Sequence, residues 1–109
     1  MALTRQFMET VASRVRKDPK FRRELLTEAV ETFLDGDIDT GKAILRDYIN
    51  ATIGFESLST KLGKDSKSVH RMLGPQGNPR AENIFMIFKI LQDEENLSLQ
   101  VRADKRKAA

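Results

Sequence analysis

Gly63 divides residues 55–73 into two short helical patterns that must pack across a sharp corner. On the N-terminal side, Leu58 and Leu62 form an apolar stripe at i, i+4 spacing; on the C-terminal side, Val69, Met72 and Leu73 form another. Ser59 is small and lies four residues before the corner, where two helix backbones have to pass closely. A glycine at such a corner accepts positive φ without a Cβ penalty. Asp65 or Ser66 then offers a side-chain oxygen to cap the second helix. This pattern matches a helix-turn-helix, a motif whose second helix enters the DNA major groove.

With Val69, Met72 and Leu73 turned inward, Ser66, Lys67, His70 and Arg71 are expected to face away from the core. Arginine and lysine donate to guanine acceptors, and serine and histidine bond to bases or phosphates. An ordinary helical hairpin with a solvated polar face has the same spacing, so charge distribution carries weight. Lys61, Lys64, Lys67, Arg71 and Arg80 face only Asp65 among the acids of residues 61–80, whereas residues 24–47 are rich in acids. The net charge of +3 is mild support for a polyanionic partner, and its concentration at this motif is stronger support.

The 109 residues fit one domain with a modest core. Tryptophan is absent and tyrosine single, so that core rests on Leu, Ile, Val, Phe and Met. The lack of cysteine excludes disulfides and thiolate metal sites, and a lone His70 argues against a histidine metal site; no cofactor is expected. No apolar run reaches the about 20 residues that span a bilayer, and the N-terminus has no apolar signal-peptide core. The expectation is a cytoplasmic protein with no membrane partner.

Helical periodicity covers most of the chain. Residues 4–17 place Met8, Val11, Ala12 and Val15 on one face, with Thr4 as a candidate cap. Asp18-Pro19 signals a new helix to about Leu34, with Phe21, Leu25, Leu26, Ala29, Val30, Phe33 and Leu34 as its apolar face. Asp39 or Thr40 is expected to cap a third helix ending near Ala51, with Ala43, Ile44, Leu45, Tyr48 and Ile49 apolar. After the two motif helices comes the turn-rich Gly74-Pro75-Gln76-Gly77-Asn78-Pro79, then a helix over 81–91 that is apolar on most sides. Residues 97–101 alternate apolar and polar, the period of a half-buried strand that could pair with another chain; a frayed tail is the other reading. Residues 102–109 form a basic tail expected to be disordered. The expected fold is therefore all-α: a five- to six-helix bundle of lambda-repressor-like type, with a possible short C-terminal strand.

The order of these elements closely resembles the HigA-like antidote proteins of bacterial toxin–antitoxin modules, of the Xre/lambda-repressor helix-turn-helix class. The resemblance covers residues 29–101, and its most specific element is the loop Leu73-Gly-Pro-Gln-Gly-Asn-Pro79 after the second motif helix. It implies a homodimer on a palindromic double-stranded DNA operator, autorepression, and neutralisation of a small RNA-cleaving toxin protein. Carried over by position, the recognition helix is 66–73. DNA-facing residues would be Lys64, Asp65, Ser66, Lys67, His70 and Arg71, with Gln76 and Asn78 near the phosphate backbone. Two departures stand out: Lys64 occupies a place after Gly63 that is usually apolar, and the extension over residues 1–20 is long and basic. That extension is a partner-binding segment or an extra core helix, and its well-formed apolar face favours the second.

Catalysis is not expected, since no nucleophile–base pair or glycine-rich phosphate loop is visible. Asp35, Asp37 and Asp39 alternate like a calcium loop, but Arg46 stands where a closing glutamate is needed, and helix capping explains these acids better. The alternative to a DNA-binding regulator is a helical protein–protein module that masks a partner.

Overall fold

A computed structural model describes residues 5–106, with side-chain surroundings from Thr10 onward. Thr4, the side chain of Met8 and residues 107–109 of the basic tail lie outside the described residues. Six helices follow one another: α1 (Arg5–Lys17), α2 (Pro19–Leu34), α3 (Ile38–Ala51), α4 (Phe55–Leu62), α5 (Ser66–Met72) and α6 (Ala81–Glu95). The fold is all-helical.

Local chemistry explains the boundaries. Asp18 accepts the Lys20 and Phe21 N–H groups at 3.1 and 3.2 Å, and Pro19 begins α2 where a missing N–H costs nothing. The cap of α3 is Asp37, which accepts the Thr40 N–H at 3.2 Å, in place of the expected Asp39 or Thr40. Asp39 sits inside the first turn, 3.5 Å from the Lys42 ammonium. α6 runs one turn past the expected end near Leu91 and stops at Asn96, which takes the left-handed conformation with φ 52°.

α1, α2 and α3 pack on one another, α4 packs on α5 and α6, and α3 meets α4. The shared core holds Val15 of α1, Leu26 and Ala29 of α2, Leu45, Tyr48 and Ile49 of α3, Phe55 and Leu58 of α4, Val69 and Leu73 around α5, and Ile87, Phe88 and Leu91 of α6. Burial of each large side chain contributes about 1.5–3 kcal/mol. Phe33 meets Phe88 edge-on at 5.9 Å, joining α2 to α6. Arg22 donates to the Val15 and Arg16 carbonyls at the end of α1 and pairs with Glu95 of α6 at 2.6 Å. With Val15 fully buried, α1 is an integral core helix.

One burial expectation needs correction. Leu34, assigned to the apolar face of α2, is 69% exposed because the helix ends there and turns away at Asp35. Residues 97–106 form no strand within the single chain; Leu99 leans on the core and donates its N–H to the Gln92 side-chain oxygen at 2.8 Å.

Candidate nucleic-acid interface

Gly63 closes α4 with φ 75° and ψ 28°, and the N–H groups of Gly63 and Lys64 both return to the Ser59 carbonyl, at 2.9 and 3.1 Å. That is the glycine-dependent ending of a helix that must stop and turn. Ser59 itself is buried at the crossing. Asp65 then caps α5: one carboxylate oxygen accepts the Ser68 N–H at 2.8 Å and the other its hydroxyl at 3.2 Å. The backbone bond from Ser68 is the main reason the Asp65 carboxyl is held below its ordinary value.

α5 sets Val69 and Leu73 fully into the core and leaves Lys67, His70 and Arg71 exposed. Lys64, Gln76, Asn78 and Arg80 are exposed on the flanking turns. The eight expected residues therefore divide by what they touch. Lys64, Lys67, Arg71, Gln76 and Asn78 are open to solvent. Ser66 is half-buried, and Asp65 is committed to the cap although it is exposed. His70 is exposed, but its ring stacks on Phe55 at 3.9 Å, so one face of the imidazole is fixed by α4. Lys61 is neutralised by Glu94 of α6 at 3.2 Å, which removes it from the free basic surface. Lys64, placed where an apolar residue is usual, is exposed and makes no core contact.

Behind this surface lie two cations of α3 that sequence reasoning missed. Lys42 is only 2% exposed. Its ammonium donates to the Gly74 carbonyl at 3.0 Å and the Gly77 carbonyl at 2.7 Å, and lies 3.5 Å from Asp39. Two hydrogen-bonding carbonyls and a neighbouring carboxylate answer its charge, which is how a buried ammonium avoids a large desolvation cost. One turn further along, Arg46 donates to the Leu73 carbonyl. The signal was present in the sequence: Lys42, Leu45 and Ile49 follow i, i+3, i+7, so the lysine lies in register with the buried stripe.

The loop is packed as tightly as it is held. The Gly77 N–H returns to the Gly74 carbonyl at 3.0 Å, closing a turn, and the Gly77 Cα presses on the last carbonyls of α5. The Gln76 and Asn78 peptide N–H groups bond to nothing among the described residues.

No cluster of three or more His, Cys, Asp or Glu side chains suited to a metal is found among the described residues. No described helix is long and apolar enough to cross a membrane. Compared with protein families, curated proteins and solved structures, the chain has no match.

Proposed function

We propose that the chain is a sequence-specific DNA-binding regulator of the cytoplasm, built on the plan of the HigA-like antidotes and acting without a cofactor or enzymatic activity. The observation that carries this reading is the surface formed by α5 and its two flanking turns. Lys64, Lys67 and Arg71 are exposed and unpaired by any carboxylate bridge among the described residues, beside exposed Gln76 and Asn78. In this reading Arg71 and Lys67 meet base edges in the major groove, and Lys64 and the loop meet phosphates. One short reading helix engages few base pairs, so a homodimer on a palindromic operator supplies the needed second half-site. Phe85, 72% exposed, and Met86, 47% exposed, give α6 an apolar face for that contact. Repression of its own operon and neutralisation of a small toxin protein rest on the resemblance described above.

The same exposed Phe85 and Met86 favour the second reading, a helical module whose work is to mask a protein partner. Anisotropy titration of the DNA upstream of its own gene against scrambled DNA, at near-physiological salt, separates the two. A DNA reader prefers the upstream DNA, and Arg71→Ala costs about 1–3 kcal/mol of that affinity while relaxing one base position. Equal, salt-sensitive binding to both DNAs reports phosphate attraction alone and transfers the lead to the masking module.

A further inference from the structure

We infer that Lys42, assisted by Arg46, is a positioning residue for DNA binding: from inside the protein it sets the loop over residues 74–78 against the phosphate backbone. The inference rests on the DNA-binding reading above and adds a control point that touches no DNA.

The argument begins with direction. The carbonyls of Leu73, Gly74 and Gly77 all turn inward to the two cations of α3. The same loop leaves the Gln76 and Asn78 side chains exposed and their peptide N–H groups unbonded among the described residues. Because C=O and N–H of one trans peptide point oppositely, the inward Gly77 carbonyl turns the Asn78 N–H outward, the polarity a phosphate requires.

Electrostatics point the same way. The end of α5 carries the negative pole of a helix, and Leu73, Gly74 and Gly77 add three oriented carbonyls. Left uncompensated, such a cluster beside a DNA strand repels it. The Lys42 ammonium and Arg46 guanidinium counter that negative end from the core side, where salt screens them weakly. A purely apolar residue at 42 fills the space but supplies neither the direction nor the charge.

The test uses fluorescence anisotropy on the upstream duplex and a scrambled duplex over a salt series. Lys42→Met, which keeps the stem and removes the ammonium, is expected to lose about tenfold in affinity for the upstream duplex. Its salt slope should fall by about one phosphate contact. The natural chain has no cysteine, so Lys42→Cys can be aminoethylated at a single site while unfolded and then refolded. That product restores an ammonium at nearly the original length, and should recover both affinity and slope. If Lys42→Met does not fold, Arg46→Met, which releases the Leu73 carbonyl alone, is expected to weaken binding in the same direction.

Folded Lys42→Met with wild-type affinity and slope overturns the inference and leaves the DNA reading standing. So does an aminoethylated protein that folds but is not rescued, or, where Lys42→Met does not fold, an Arg46→Met protein that binds as tightly as wild type. A wild-type protein that fails to distinguish the two duplexes removes the DNA reading and this inference with it.

Discussion

Gly77→Ala should be among the most damaging single-methyl additions to this protein. A Cβ at Gly77 would overlap the Arg71 carbonyl oxygen and stand 2.5 Å from the Met72 oxygen and 2.7 Å from its carbonyl carbon. All three atoms are backbone at the end of α5, and Val69 and Leu73 lock that helix into the core. The loop therefore has to lift. Overpacking of this kind costs about 1–3 kcal/mol. Lifting also breaks the bond from Lys42 to the Gly77 carbonyl, and a hydrogen bond to a charged group contributes about 1.5–3 kcal/mol. Together the loss is about 3 kcal/mol or more, a drop in Tm of about 12 °C or more for a domain of this size. Gly74→Ala is the matched control. Its Cβ would lie 3.3 Å from the His70 oxygen and 3.4 Å from the Arg71 oxygen, a crowding that small shifts relieve for about 1 kcal/mol. Urea unfolding followed by circular dichroism measures both. If Gly77→Ala is no more destabilising than Gly74→Ala, the close packing of the loop on α5 is refuted, and with it the reason for glycine there.

Ser59→Ala should be neutral or stabilising by up to about 1 kcal/mol, because the buried hydroxyl has no partner among the described residues and alanine favours a helix; clear destabilisation in the same assay would show that the hydroxyl is bonded. Asp65 has a folded-state pKa below its ordinary 3.8, so its contribution is present above that pH and fades as pH falls through the folded value. Asp65→Asn, which keeps an uncharged cap, should therefore approach wild-type stability as the solution is acidified, and a constant gap down to strong acid would contradict the charge's role. Burial, with help from the Glu95 carboxylate, raises the Tyr48 hydroxyl above its ordinary 10.0, so stability is complete below that pH and declines as pH rises past it. Tyr48 is the chain's only tyrosine, so tyrosinate absorbance should appear together with alkaline unfolding, and Tyr48→Phe should remove much of that alkaline sensitivity.

Much of the fold was legible because helix periodicity, caps and corners are local properties. Asp18-Pro19 announces α2, and Gly63 announces the corner between α4 and α5, since each acts on its own neighbouring backbone. The start of α3 was misplaced by two residues because Asp37, Asp39 and Thr40 are all competent caps, and only the path out of α2 selects Asp37. The exposure of Lys67 and Arg71 followed from their register against Val69 and Leu73. The partners of Lys61 and His70 did not: Glu94 and Phe55 reach them from other helices.

By itself the sequence determined an all-helical chain with a glycine-cornered helix pair and a basic surface upon it, because side-chain spacing and turn chemistry act over a few residues. The tertiary structure decided which charges remain free and what holds the loop. Lys42 lies in register with the buried stripe of α3, but the partners of its charge appear only when α3 is laid against a loop more than thirty positions away, where the Gly74 and Gly77 carbonyls meet its ammonium. A buried charge is tolerated only where its partners converge in space, and that convergence is a property of the packed fold.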